Sequence, residues 1–357
     1  MKRNMIKRIA AVAMAGAMMV SMSVPAMATE GSGYEPTNTF TFKKELTLDP
    51  YVYVPDAKYT FTITPCETSA DDKVDGQPVL KGEVGGIANL TNNQFTISTD
   101  SKMLETYATG TEKESKVVGE KKLSVNPGAF KKPGIYRYTV TEEEPTYEGI
   151  SKGDSKAQYL DVYIVQGKNG LEAKYFVLKD GVIGAKNDGK FENNYTTYSA
   201  TVTKEVIGDQ VVAGDNDEFS FTFSATPGID GEKYCVTDKD GIVDPNKDGT
   251  WTVSLRDNES ATIHGLTASD AYAIKEADYS DKGWKTTVTV DKGSAIPGTD
   301  NRSASGKGTD NAEITVTNTK DAPTPTGIVM DIAPYIIMVA AAGVLAFVFL
   351  RRRSYTK

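Results

Sequence analysis

Apolar and polar residues alternate along most of the interior of this chain. "NTFTFKKEL", "KYTFTI", "GIYRYTVTEE", "QYLDVYIV" and "AKYFVLK" recur in its first part. "SATVTKEV", "EFSFTFSA", "AYAIKEADY", "WKTTVTV" and "AEITVTN" follow in its second part. A period of two is the period of a β-strand, whose successive side chains point to opposite faces. These segments are rich in Thr, Tyr, Phe and Val, and Gly, Asp, Asn and Pro turns separate them. No long helical stretch competes. The pattern predicts an all-β protein of about two domains, each an antiparallel sandwich of immunoglobulin-like type.

The two parts also repeat one another in order. "TFTFKKEL" (Thr39–Leu46) corresponds to "SATVTKEV" (Ser199–Val206), and "YTFTITP" to "FSFTFSATP". "YRYTVTEEEPTY" corresponds to "AYAIKEADY", and "KFENNY" to "ITVTNTK". This predicts a duplicated domain with its boundary near Tyr195–Tyr198.

Alternation then exposes a conflict. Phe40, Phe42, Lys44 and Leu46 share one face, as do Tyr136, Tyr138, Val140 and Glu142, and Phe191 with Asn193. In the second part the sets are Ala200, Val202, Lys204 and Val206; Tyr272, Ile274 and Glu276; Ile314, Val316 and Asn318. Each half thus turns one Lys, one Glu and one Asn inward. A lone Lys on such a face usually snorkels at a sheet edge, and satisfied structural polar groups are one reading of the trio. The other is chemical. Burial pushes a Lys toward its neutral, nucleophilic amine and a Glu toward its protonated acid. Such a Glu can hydrogen-bond the Asn carboxamide and polarise its carbonyl. Held in near-attack geometry, amine and carboxamide form an amide and release ammonia.

The ends carry addresses. Lys2, Arg3, Lys7 and Arg8 precede the apolar run Ile9–Val20 and then Ala26-Met27-Ala28. This is the pattern of a secretory signal, with cleavage expected between Ala28 and Thr29; an uncleaved N-terminal anchor is the alternative. Near the other end, "DAPTPTGIVMDIAPYIIM" leads into nineteen uncharged residues, Ile332–Leu350, then Arg351-Arg352-Arg353. Nineteen helical residues reach roughly 28 Å, the thickness of a bilayer core, and the arginines place the tail in the cytoplasm.

Charge and composition narrow the function. The chain is formally −8 although both ends are basic, so its exported middle is more acidic still. That argues against nucleic-acid binding. Two cysteines, Cys66 and Cys235, cannot build a disulfide framework and are expected as free thiols in different domains. His264 is the only histidine, which excludes histidine triads and histidine metal sites. "DPNKDG" (Asp244–Gly249) begins like a calcium loop, but Leu255 stands where a bidentate Glu is needed, so a turn is expected. No glycine-rich phosphate loop opens a helix. Neither a metal nor a cofactor is expected.

With "KEL", "KPGIYRYTVTEE", "KFENNY", "TVTKEV", "ITVTNTKD" and "PTGIVMDIAPYI" in hand, the chain resembles the major backbone pilins of Gram-positive bacteria, of the streptococcal type. The resemblance covers nearly the whole chain and is most specific at the last of these segments. It implies two tandem immunoglobulin-like (CnaB-type) β-sandwich domains, 29–195 and 196–320, behind a signal peptide, 1–28, and ahead of a sorting signal, 321–357. It implies that Lys44 joins Asn193 with Glu142 assisting, and that Lys204 joins Asn318 with Glu276 assisting. Each crosslink would tie the first strand of its domain to the last. With roughly 115–150 residues enclosed, loop closure is worth about 5 kcal/mol per bond. Tension entering one terminal strand would pass through the bond to the other. Lys43 and Asn194 are adjacent competitors that alternation points outward.

The same resemblance implies cleavage between Thr326 and Gly327 by a membrane sortase, with Thr326 passed to an amine of the next subunit. The ending reads Pro-Thr-Pro-Thr-Gly rather than Leu-Pro-x-Thr-Gly, which points to a dedicated pilin sortase. By similarity the acceptor amine is Lys186 in "KNDGKFEN", with Lys190 as runner-up; the Tyr-Pro-Lys motif of other pilins is absent. The partners implied are further copies of the chain, a pilin sortase, minor tip or base pilins, peptidoglycan and, where the shaft itself adheres, a host surface. A shaft subunit of a surface pilus is the leading expectation. A wall-anchored, non-polymerising adhesin is the second, and an exported hydrolase the third. Self-crosslinking is single-turnover, so no enzyme is expected.

Overall fold

The computed structural model describes residues 38–74, 76–153, 157–181, 186–187, 189–209, 211 and 217–321, with Met338, Val339 and Ala342. The predicted signal peptide, both cleavage points and the membrane span, apart from those last three residues, lie outside the described residues. Among the described residues no helix is long and apolar enough to cross a membrane.

Strands dominate, and they form two pairs of facing sheets. In the first pair, one sheet runs in the order Ile87–Ala88, Glu114–Val125, Thr39–Leu48, Lys190–Tyr195, Ile150–Lys152. Its partner runs Lys186–Asn187, Gly170–Lys179, Gln158–Gly167, Gly134–Glu142, Lys58–Pro65, Gln94–Ser98, and Gln77–Lys81 also pairs with Gly134–Glu142. In the second pair, one sheet runs Gly241–Val243, Cys235–Asp238, Ser260–Leu266, Tyr198–Ile207, Ala312–Thr319, Lys285–Lys292. Its partner runs Trp251–Leu255, Phe219–Thr226, Ala271–Glu276, Ser303–Lys307, Ile296–Pro297. The alternating strands thus become two sandwiches.

Each sandwich closes over its own apolar core. In the first, the inward rings of Phe42, Phe61, Phe95 and Phe191 meet with centroids 4.7–5.4 Å apart. In the second, Phe219, Phe221 and Phe223 lie along one strand face, with Trp284 edge-on to Phe219 at 5.2 Å. Full burial of such rings stabilises by about 1.5–3 kcal/mol each. The two sandwiches touch through polar contacts. Tyr147 donates to Glu232 (3.2 Å), Glu148 accepts from the Ser269 N–H (3.2 Å), and Lys233 pairs with Glu105 (2.6 Å).

In both sandwiches the first and last strands are parallel neighbours, an uncommon arrangement in an otherwise largely antiparallel fold. This feature creates the sites described next. The segment Asp244–Gly249 is a tight turn, in which Asn246 N–H donates to Thr250 O and Gly249 has φ +80°. Both cysteines are free, Cys66 half-buried and Cys235 buried.

Candidate functional site

The two parallel pairs share one register. Lys44 lies opposite Phe191, and Asn193 opposite Leu46. Lys204 lies opposite Val316, and Asn318 opposite Val206. In each domain the asparagine is therefore two residues beyond the partner of the lysine. Two residues along a strand is one step on the same face, so both side chains enter the same core from the same sheet. The acid comes from the facing sheet, where Glu142 is paired with Phe61 and Glu276 with Phe221. Lys44, Lys204, Asn318 and Glu276 are wholly buried, and Asn193 is 1 % exposed.

In the first trio, Lys44 Nζ donates to Glu142 Oε2 at 2.9 Å and Asn193 Nδ2 donates to Glu142 Oε1 at 2.8 Å. The ammonium also sits over the Tyr59 ring, 4.9 Å from its centroid. A bulge in the pairing with Glu114–Val125 falls between Lys44 and Glu45, the kind of irregularity that re-aims a side chain. It follows the pair Lys44 and Gly119, where a Cβ on Gly119 would come within 2.4 Å of Ser98 O.

In the second trio, Lys204 Nζ is 3.4 Å from Glu276 Oε1 and donates to Val316 O (2.9 Å) and Glu205 O (3.0 Å). Asn318 Nδ2 donates to Glu276 Oε1 at 3.0 Å, and Thr286 Oγ1 donates to Glu276 Oε2 at 3.1 Å. The Phe219 ring centroid lies 4.5 Å from Nζ.

Burial lowers both lysines to about 8, the acid of each site pulling the other way. Burial also raises Glu276 above the usual carboxylate range, against the pull of Lys204. Burial thus favours the neutral amine of each lysine and, in the second site, the protonated form of the acid.

One detail differs from the sequence expectation. The acid meets the amide nitrogen of each asparagine, not its carbonyl, and Asn193 Oδ1 and Asn318 Oδ1 are buried without a hydrogen-bond partner. The acid therefore lies between the lysine Nζ and the asparagine Nδ2, where it could carry a proton from one nitrogen to the other.

The competitors turn away from the trio. Lys43 is 3.8 Å from Glu120, and Asn194 is exposed. Lys186 is exposed on the two-residue strand paired with Leu178 and Lys179, and Lys190 pairs with Glu45 at 3.1 Å. Ala28, Thr29, Thr326 and Gly327 lie outside the described residues.

Sequence reading missed a second buried charge group. Arg137 clamps Asp161 through Nε (2.6 Å) and Nη2 (2.9 Å), and Lys179 Nζ reaches the same carboxylate at 2.8 Å. Arg137 alternates away from the sandwich core but is only 2 % exposed. The Cys66 and Gly82 N–H groups both donate to its carbonyl, along the strand edge where Lys81 pairs with it. A carboxylate held by two cations is a poor electrophile, so this trio is a structural ion group.

An all-β pair of sandwiches, each placing amine, acid and carboxamide between its first and last strands, holds in each domain the groups that an internal amide crosslink requires. Comparison with known proteins agrees. Residues 40–196 match the Spy0128-like isopeptide containing domain, and residues 199–320 match a domain of unknown function, DUF7601. A pilin of Streptococcus pyogenes serotype M1 is 25% identical over 317 residues, covering 83% of this chain and 85% of the relative. The fold is shared with the crystal structure of the major pilin from Streptococcus pyogenes (TM-score 0.53, 22% identity, 81% of this chain and 100% of that one). It is shared too with the T3.2 major pilin of serotype GAS13637 (TM-score 0.54, 24% identity, 80% and 99%). The chain is thus similar in sequence to a streptococcal pilin over most of its length and shares its fold with streptococcal major pilins.

Proposed function

We propose that this chain is the shaft subunit of a covalent surface pilus, and that each domain seals itself with one Lys–Asn amide. The observation that carries the crosslinking is the identical register of the two trios. The neutral amine of Lys44 or Lys204 attacks Cγ of Asn193 or Asn318. The Nζ–Cγ bond forms and the Cγ–Nδ2 bond breaks. Starting from ammonium and carboxylate, two Nζ protons pass through Glu142 or Glu276 to the departing nitrogen, which leaves as ammonium and restores the carboxylate.

The remaining steps rest on the resemblance in the ends of the chain. The mature chain begins at Thr29 and comprises domains 29–195 and 196–320. A pilin sortase cuts between Thr326 and Gly327 and joins Thr326 to Lys186 of the next copy, with Lys190 as the alternative acceptor. The finished polymer carries minor pilins and is attached to peptidoglycan. The chain is a structural protein rather than an enzyme.

Intact mass of the mature chain tests the crosslinks. Two amides remove about 34 Da, one ammonia each. Glu142→Ala and Glu276→Ala should each return about 17 Da. The full unmodified mass would leave the trios as ordinary buried polar groups. On cells, wall digestion should release a ladder of covalent multimers that Lys186→Arg abolishes. A single band would favour the wall-anchored adhesin.

A further inference from the structure

The structure assigns a positioning role to the residue that faces each crosslinking asparagine from the strand on its other side, Lys152 in the first domain and Thr286 in the second. The inference rests on the reading that both trios form amides. Each last strand lies between two neighbours, the parallel first strand and an antiparallel outer one. Across the outer pairing, Asn193 faces Lys152 and Asn318 faces Thr286. The two positions are structurally equivalent, and both turn inward. Ile150, two residues before Lys152, is in the core, and Val288, two residues after Thr286, packs against the other core.

Their chemistry differs. Thr286 donates to Oε2 of Glu276 and so fixes the carboxyl, leaving Oε1 to face both Asn318 and Lys204. In the first domain the equivalent side chain is a cation, 18 % exposed and paired with Glu144 at 3.1 Å. There Glu142 keeps Oε2 for Lys44 itself. The charges acting on Lys44 come from three strands. Glu142 and Glu192 favour its ammonium form, and Lys152 opposes it. Tyr59 supplies a ring face, and Gly119 on the fourth strand brings no charge. Lys152 therefore favours the amine that attacks, whereas Thr286 orients the acid that carries the proton. One crosslink is tuned by a charge and the other by a hydroxyl.

Refolding resolves the two. The mature chain, collected unfolded and uncrosslinked in denaturant, is diluted into buffers from about pH 6 to about pH 9. The crosslinked peptide of each domain is then followed by mass spectrometry after digestion. Lys152→Met should move the pH profile of the Lys44–Asn193 bond upward by about half a unit, leave the Lys204–Asn318 profile in place, and be rescued by Lys152→Arg. Thr286→Val should slow the second bond by about tenfold at every pH, without moving its profile, and Thr286→Ser should restore most of the rate. Where Lys152→Met hinders folding, Lys152→Gln carries the same comparison, with the second domain as internal control. Superimposable profiles for wild type and Lys152→Met or Lys152→Gln, or an unchanged rate in Thr286→Val, would overturn the inference. Absence of both crosslinked peptides from the wild type would overturn the amide reading itself, and this inference with it.

Discussion

The two domains place the same three side chains at the same register and surround them differently. In the first, Glu142 is hydrogen-bonded to both Lys44 and Asn193, and its side chain remains 8 % exposed. In the second, Glu276 is fully buried and shared with Thr286, while Lys204 is also held by two backbone carbonyls. What persists is the parallel pairing of the terminal strands and the acid beside a phenylalanine of the facing sheet. What varies is the supply of charge and hydrogen bonds. The proposed crosslinking would thus depend most on proximity, which strand register provides, and tolerate two ways of managing protons.

The largest expected effect tests whether the register delivers a bond in each domain. Asn193→Ala and Asn318→Ala should each destabilise their own domain by about 5 kcal/mol, the loop-closure value for rings of this length. Denaturant unfolding of each variant, with intact mass as a control, reads this directly. Equal stability with and without the bond would remove the mechanical argument from that domain.

The next effect belongs to the first domain alone. Asp161→Ala strands Arg137 and Lys179 as buried, unpaired cations and should cost about 3–5 kcal/mol. The second domain's buried Asp270 has no cation partner of this kind among the described residues and instead accepts from the N–H groups of Thr267 and Gly228. A loss confined to the first unfolding transition would sharpen the contrast, and a loss shared by both would show that the domains unfold together.

A third effect appears when the bonds are absent. In Asn193→Ala and Asn318→Ala the lysines remain titratable, with folded values near 8 against 10.5 unfolded. A lowered folded value means that the unfolded chain binds more protons between pH 8 and 10.5, so stability rises across that window and is lost as pH falls through 8. The gain should approach about 3 kcal/mol per site, measured against the matching Lys→Met backgrounds. A flat profile would mean that these ammonium groups are not penalised by burial.

The smallest effect uses the single cysteine of each domain. Cys66 is half-buried, and burial pushes the Cys235 thiol up to about 11. A thiol reagent at pH 8 should label Cys66 in the native protein and reach Cys235 only in denaturant. Labelling of native Cys235 would reveal opening of the second sandwich.

Much of the site was legible because it lies on period-two strands. Phe40, Phe42, Lys44 and Leu46 declare their common face without any structure, and so do Ile314, Val316 and Asn318. Residues that depend on pairing between distant segments were not legible. Lys152 belongs to a three-residue strand, and nothing local says that it stands opposite Asn193. Arg137 follows the outward phase of its strand, yet it is buried and paired with Asp161 on the neighbouring strand, a partner no local pattern reveals. The direction of the two carboxamides was also beyond reach, because it depends on hydrogen bonds made across the sandwich.

The parallel pairing of terminal strands has a further consequence for survival outside the cell. Once Lys44 is joined to Asn193 and Lys204 to Asn318, almost every described residue belongs to one of two closed rings. A host protease that nicks a turn inside a ring leaves both cut ends attached to the same molecule. With the proposed Thr326–Lys186 linkage between copies, only a cut in the short stretch 194–203 or beyond Asn318 would part the filament at a single nick. Most of that stretch is already locked into strands, Lys190–Tyr195 and Tyr198–Ile207, with just Thr196 and Thr197 between them. A polymer of such subunits can be cut many times without becoming shorter.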